Sequence, residues 1–426
     1  MITQVEAARA GQITREVAQV ARQEKLAPAT IAEGVAAGRI VIPANPAHRA
    51  LDPRGIGDGL RIKVNANLGT SSRQPELELE LAKLRAAMDA GTDAVMDLST
   101  GGDPDAVRRA ILDECPLPVG TVPVYQAAIE AISSGGSIRA MTPDDLFGVI
   151  ERHAADGVDF LTLHCGVTRS IVSYIDQSDR LTGIVSRGGA FLTCWIKAND
   201  RENPLYEHFD RVLDLARRHD VTLSLGDGLR PGCLADATDR AQVEELVVLG
   251  ELVERARAAG VQAMVEGPGH VPLDQVAANV VLQKQLCKGA PFYVLGPLVT
   301  DIAPGYDHIT SAIGGALAGM AGADFICYVT PSEHLALPSP QEVRDGVIAA
   351  RIAAHAADVV RLGSRARAWD DEMARARRAL DWQRQFELAI DPARARELHQ
   401  RSGAVPAGAC TMCGDYCVFK LLTDAS

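Results

Sequence analysis

From residue 61 to about residue 330, short apolar runs rich in β-branched residues alternate with longer amphipathic stretches, at intervals of roughly 30–40 residues. This is the rhythm of strands and helices in a parallel sheet. Nine runs predict strands, at 61–67, 94–98, 119–125, 160–165, 183–186, 221–225, 262–265, 292–295 and 325–329. A closed (β/α)₈ barrel takes eight strands, so one run is expected to lie outside it, and the fold class is α/β. The pattern predicts four regions: an N-terminal extension over 1–58, the barrel over 59–339, a helical hairpin over 340–395 and a flexible arm over 396–426. The extension opens with a polar helical pattern at 3–23 and continues into a loop holding Pro43, Pro46, Pro53 and Gly55. The hairpin rests on helical patterns at 340–362 and 368–390, and the arm is reached through a Gly-, Ala- and Pro-rich stretch at 401–408.

Polar and aromatic residues collect where the apolar runs end: Asn65 and Asn67, Asp97, Tyr125, His164, Ser186 and Arg187, Asp227 and Arg230, Glu266 and His270, and Tyr293. At any single end this is what a turn former would give. Repeated around a barrel it predicts one shared pocket, because reactive groups occupy the C-terminal mouths of the strands. Glycine clusters follow several ends, at 99–103, 186–189 and 226–230. Tight turns there could aim N–H groups at an anion beside Arg187 or Arg230, a cradle for one phosphate. No G-x-G-x-x-G or Walker A sequence is present, so dinucleotide and nucleoside triphosphate fingerprints are absent.

Composition narrows the partners. Of 426 residues 47% are hydrophobic and 23% charged, ordinary globular values. With 55 acidic against 43 basic residues the net charge is −12, which disfavours nucleic acid. No apolar run approaches the roughly 20 residues of a membrane-spanning helix, and 1–10 carry Glu6 and Arg9 with no apolar secretory core, so a cytoplasmic location is expected. Nine cysteines, six of them solitary, make a disulfide framework improbable.

The remaining three, Cys410, Cys413 and Cys417, form a C-x₂-C-x₃-C run near the C-terminus. Three thiolates on one short segment can each take an iron of a [4Fe–4S] cube and leave the fourth open. A Cys₃His zinc site completed by His399, or free thiols, is the alternative. An open iron implies S-adenosylmethionine, whose one-electron reduction yields a 5′-deoxyadenosyl radical, a species that needs a water-excluded pocket. The spacing departs from the C-x₃-C-x₂-C of ordinary radical enzymes. A second pair, His270 in Glu266-Gly-Pro-Gly-His270 and His334 in Pro331-Ser-Glu-His334, follows strand-like runs and could hold a divalent metal, with Glu266 as ligand or proton acceptor and His308 as a competing ligand. Capping of turns is the plainer role for both histidines.

Seven motifs carry a family resemblance: Lys63-Val-Asn-Ala-Asn67-Leu-Gly-Thr-Ser, Met96-Asp-Leu-Ser-Thr-Gly-Gly-Asp103, Ser224-Leu-Gly-Asp-Gly-Leu-Arg-Pro-Gly232, Glu266-Gly-Pro-Gly-His270, Ala290-Pro-Phe-Tyr293-Val-Leu-Gly-Pro, Thr300-Asp-Ile-Ala-Pro-Gly-Tyr-Asp-His308 and Cys410-Thr-Met-Cys413-Gly. In this order, over nearly the whole chain, they resemble the phosphomethylpyrimidine synthase family. The resemblance implies a radical carbon–carbon lyase of thiamine biosynthesis. It would convert 5-aminoimidazole ribonucleotide to 4-amino-5-hydroxymethyl-2-methylpyrimidine phosphate, with release of formate and carbon monoxide. The cofactors implied are S-adenosylmethionine, a [4Fe–4S] cluster on Cys410, Cys413 and Cys417, and zinc or another divalent metal on His270 and His334. Substrate would meet Asn67, Met96, Tyr125, His164, Ser186, Arg187, Gly188, Asp227, Gly228, Leu229, Arg230, Glu266 and Tyr293, with Glu266 and the three cysteines catalytic. A homodimer, in which one subunit's arm serves the other's barrel, and an electron donor such as flavodoxin or ferredoxin are also implied. The chain has three residues between its second and third cysteines where longer members have four. The alternative product, from the same ribonucleotide, is 5-hydroxybenzimidazole, but Asp97, Asp227, Phe292 and Tyr306 are more similar to the thiamine enzyme.

Overall fold

The computed structural model describes residues 2–401 and 408–424. The chain divides into two compact units, Met1–Ala357 and Asp358–Ser426. In the first, eight parallel strands close into a barrel in the order β10-β3-β4-β5-β6-β7-β8-β9. These are β3 (Lys63–Leu68), β4 (Ala94–Asp97), β5 (Val119–Thr121), β6 (Phe160–Leu163), β7 (Thr222–Leu225), β8 (Ala263–Gly267), β9 (Phe292–Leu295) and β10 (Phe325–Cys327), each followed by helix. Val64, Val95, Val119, Phe160, Leu223, Met264, Phe292 and Phe325 are almost wholly buried, so the ring encloses packed side chains. Register then places chemistry side by side, with Asn67 opposite Met96 and Glu266 opposite Tyr293.

The ninth expected strand, 183–186, is no strand. Gly183 adopts φ +66°, and Ser186 is the N-cap of the helix Arg187–Asn199, its Oγ accepting from the N–H of Gly189. The β-branched Ile184 and Val185 imitated a strand in a loop too short to pair. The run at 119–125 also ends early: Pro123 opens the helix Pro123–Ser133, which carries Tyr125 in its first turn.

The residues before the barrel form three helices, Gln4–Arg9, Arg15–Glu24 and Pro28–Ala36, where one helical stretch was expected at 3–23. Gly11, at φ +71°, and the N-cap Thr14 divide it. Two short antiparallel strands follow, β1 (Ile40–Val41) and β2 (Ile56–Gly57), which the sequence reading missed because two residues are too few to show alternation. A small core of Val17, Val20, Ile31, Val35, Ile42 and Leu60 holds this segment together. Polar ties bind it to the N-terminal ends of the barrel strands. The Ile42 N–H donates to Gln262 Oε1 at 2.6 Å, the Asn45 N–H donates to Asp159 Oδ1 at 2.9 Å, and His48 Nδ1 meets Asp159 Oδ2 at 2.8 Å. Lys63 Nζ reaches Glu24 at 2.7 Å, both side chains nearly inaccessible.

The helix Pro340–Leu362 appears as expected. The second helical pattern, 368–390, is two helices, Ser364–Arg378 and Trp382–Leu388, parted at Leu380, which adopts φ +54°. A further helix, Pro392–Arg401, follows. The proposed mobile approach at 401–408 falls largely on 402–407, outside the described residues. No helix among the described residues is long and apolar enough to cross a membrane.

Candidate active site

A cavity of about 260 Å³ opens at the C-terminal mouth of the barrel. Asn67, Met96, Tyr125, His164, Arg187, Asp227, Arg230, Glu266 and Tyr293 line it, together with Thr162, Cys327 and Glu333. Ser186, Gly188, Gly228 and Leu229 do not line it but shape its wall. Ser186 Oγ shares a hydrogen bond of 3.2 Å with His164 Nε2. A Cβ on Gly188 would lie 2.2 Å from the His164 ring, and one on Gly189 would lie 1.9 Å from the carbonyl oxygen of Gly228. Two successive glycines are therefore required by close approach: the ring sits on one and the 227–230 turn on the other. Gly189→Ala is expected to destabilise the protein by about 1–3 kcal/mol, because its neighbour is backbone and cannot swing away. An unchanged denaturation midpoint would exclude that contact.

The anion cradles expected at three glycine turns reduce to one. The N–H groups of Gly228 and Leu229 donate to Glu245 Oε1 and Oε2, each at 2.8 Å. In the 99–103 turn, Ser99 N–H donates to Asp97 Oδ1 at 2.9 Å, and the N–H groups of Thr100 and Gly101 go to Thr70 O at 2.9 Å and Thr70 Oγ1 at 3.2 Å. The 186–189 turn opens the helix Arg187–Asn199, where the Gly189 N–H donates to Ser186 Oγ, and it sets Arg187 in the cavity lining with its guanidinium 4.9 Å above the Tyr125 ring. That combination of dipole, amides and guanidinium suits a phosphate.

Deeper in the cavity the groups are arranged for donors, acceptors and protons. Glu266 Oε1 accepts from Thr162 Oγ1 at 2.6 Å and Ser224 Oγ at 2.8 Å. Burial nevertheless raises the Glu266 carboxyl above its ordinary range, and it raises Asp227 well above, against the pull of Arg230 3.3 Å away. Asp227 Oδ2 has no partner among the described residues. Asn65 Nδ2 donates to the Tyr293 hydroxyl at 2.7 Å, and burial pushes that phenol well above 10. Burial, reinforced by Arg230, lowers His164 to about 3. The unfolded ring, at its ordinary 6.5, takes up protons that the folded ring refuses until about pH 3, so acid removes stability through that window. His164 is expected to stay neutral from about pH 5 to 8. Nitrogen chemical shifts of labelled histidine check this, and a midpoint inside that range would be inconsistent with it.

At the rim, His270 and His334 stand with ring centroids 5.3 Å apart. His270 Nδ1 meets Asp301 Oδ1 at 2.7 Å and His334 Nδ1 meets Asp307 Oδ1 at 3.1 Å. Carboxylates on both Nδ1 atoms would leave the Nε2 of each ring available to a divalent ion. Asp301 and Asp307 went unrecognised, although both stand in the 300–308 motif. His308, the competing ligand, lies in the helix Asp307–Ala321, with Nδ1 unpartnered among the described residues.

In the second unit, Cys410, Cys413 and Cys417 follow one another through consecutive turns. The Gly414 N–H donates to Cys410 O at 2.9 Å and the Tyr416 N–H donates to Cys413 O at 2.9 Å. Among the described residues no three His, Cys, Asp or Glu side chains converge around a common ion position. The donor set is all thiol and confined to one short segment, which fits three corners of an iron–sulfur cube. His399, the fourth ligand of the zinc alternative, stacks on Trp382 with ring centroids 4.3 Å apart.

Comparison with known proteins places this geometry. The profile of the Radical SAM ThiC family matches residues 3–424. Phosphomethylpyrimidine synthase of Moorella thermoacetica is 63% identical, over 99% of this chain and 98% of its own. The enzymes of the same name from Desulforamulus reducens and Desulforudis audaxviator are 61% and 62% identical over the same shares.

Proposed function

Because the chain belongs to the Radical SAM ThiC family, we infer that it is a phosphomethylpyrimidine synthase, a radical lyase of thiamine pyrimidine formation. Its substrate on this reading is 5-aminoimidazole ribonucleotide and its product 4-amino-5-hydroxymethyl-2-methylpyrimidine phosphate, with formate and carbon monoxide released. The observation that carries the reading is end-to-end similarity above 60% to enzymes of that name. 5-Hydroxybenzimidazole formation is not favoured.

The site chemistry supports how each group acts. Arg187 and the first-turn amides of the helix Arg187–Asn199 would take the substrate's phosphate. Asn67, Tyr293 and the neutral His164 would orient the ribose and imidazole through hydrogen bonds, while Met96, Leu98 and Val122 exclude water. Glu266 and Asp227, both held up in pKa by burial, would take and return protons at their carboxylate oxygens. Cys410, Cys413 and Cys417 would hold a [4Fe–4S] cluster, which when bound supplies the electron that splits S-adenosylmethionine. His270 and His334 would hold zinc or another divalent ion through Nε2, steadied by Asp301 and Asp307. The chemistry draws single electrons, so the donor would be a one-electron carrier such as flavodoxin or ferredoxin. A homodimer that exchanges cysteine arms is part of the same proposal.

Anaerobic turnover of 5-aminoimidazole ribonucleotide by the reconstituted protein, with mass analysis of products, tests the reading. Pyrimidine phosphate is the expected product. Hydroxybenzimidazole, or no consumption of the ribonucleotide, would overturn the assignment.

A further inference from the structure

Glu245 lies on the helix Arg240–Ala258, behind the cavity and outside its lining, with 2% of its surface exposed. Both its oxygens are committed. Oε1 accepts from Gly228 N–H and Oε2 from Leu229 N–H, each at 2.8 Å. Those amides belong to the 227–230 turn, whose ends are the two charged side chains facing the cavity, Asp227 and Arg230. Within the turn the Arg230 N–H donates to Asp227 O at a long 3.3 Å and the two side chains meet at 3.3 Å, while Arg180, paired with Asp239, donates from Nη2 to the Leu229 carbonyl oxygen at 2.7 Å. On the opposite side the missing Cβ of Gly189 lets Gly228 O approach. The turn is thus held between a carboxylate behind and a glycine in front.

We propose that Glu245 is a positioning residue of this enzyme: by clamping the amides of Gly228 and Leu229 it sets the direction in which Asp227 and Arg230 meet the substrate. The alternative, a carboxylate buried only to satisfy a helix or fill space, does not explain why both oxygens are spent on consecutive amides of a single turn. A carboxyl group in water-excluded surroundings needs partners of this kind, and two backbone N–H groups, one on each oxygen, supply them. The clamp also keeps these amides from turning toward the cavity, so recognition at this wall falls to the side chains. The proposal rests on 5-aminoimidazole ribonucleotide being the substrate.

Two variants test it. Glu245→Gln keeps the shape and one acceptor but turns an NH₂ group toward one backbone N–H. Glu245→Ala loses both acceptors. Affinity for 5-aminoimidazole ribonucleotide is measured by calorimetry on the anaerobically reconstituted enzyme without S-adenosylmethionine, and KM and kcat in full turnover. Loss of one buried hydrogen bond predicts about a tenfold weaker Kd and higher KM for Gln, and loss of both a larger effect, about a hundredfold, for Ala. A merely structural role would lower the active fraction and leave KM and Kd unchanged, and that outcome in the Gln variant would overturn the proposal even if the Ala variant fails to fold. Failure of the substrate reading is separate, because the wild type would then neither bind nor consume the ribonucleotide.

Discussion

Glu266→Gln is expected to lower turnover of 5-aminoimidazole ribonucleotide by about 10²–10⁴-fold, the range for removing a positioned proton acceptor. The substitution is nearly isosteric, and its amide oxygen still accepts from Thr162 and Ser224, so the wall stays in place while the capacity to exchange a proton is lost. Stability carries a second signature. The unfolded carboxyl sheds its proton near 4.5, whereas burial makes the folded one retain it to higher pH. The native state therefore loses stability as pH rises through the folded value, and Glu266→Gln, with no proton to lose, flattens that portion of the profile. Anaerobic kcat and a denaturation series against pH read both effects. Wild-type kcat in the variant would show that no proton passes through Glu266.

Cys413→Ala is expected to abolish turnover and to leave the reconstituted protein with little iron or sulfide, because two thiolates cannot hold three corners of a cube. Cys417→Ala should behave alike. Both residues belong to the unit Asp358–Ser426, whereas the packed barrel lies in Met1–Ala357, so the thermal midpoint of the barrel should barely move. Iron and sulfide per chain, the visible absorbance and calorimetry give the three readouts together. A Cys413→Ala protein that kept full turnover would sink the radical mechanism.

The barrel was legible because buried parallel strands read as apolar β-branched runs, and eight of the nine runs are strands of the ring. What failed has a local cause. Ile184 and Val185 have strand composition, but strand formation needs a neighbour to pair with, and Ser186 instead starts a helix. Tyr125 reaches the cavity from a helix, since Pro123 ends the extended run before it. Residues at strand ends could be anticipated from position, and Asn67, His164, Glu266 and Tyr293 share one cavity, which Met96, implied by the resemblance alone, also lines. Supporting groups could not. Glu245 sits in Val-Glu-Glu-Leu on an acidic helix and looks like its solvent-facing neighbour Glu244, while Glu333 adjoins His334 without any periodic signal. Asp301 and Asp307 belong to the 300–308 motif, yet their pairing with His270 and His334 depends on loops that meet only in three dimensions. Glycine clusters in a sequence suggest turns and anion sites, but at Gly188 and Gly189 what matters is the room a hydrogen leaves for a ring and a carbonyl.

The N-terminal segment crosses the far end of the ring through Ile42, Asn45 and His48, and the interior between is filled by side chains. Side chains packed through the interior close the far end of the ring, which leaves the mouth as the open end among the described residues. On the proposed function the ribotide would enter at that mouth, and a gas, a one-carbon acid and a larger phosphate ester would leave by it. On that reading, whatever keeps solvent out during a radical step would have to lift away once per cycle, and its departure would set a limit on the pace of catalysis.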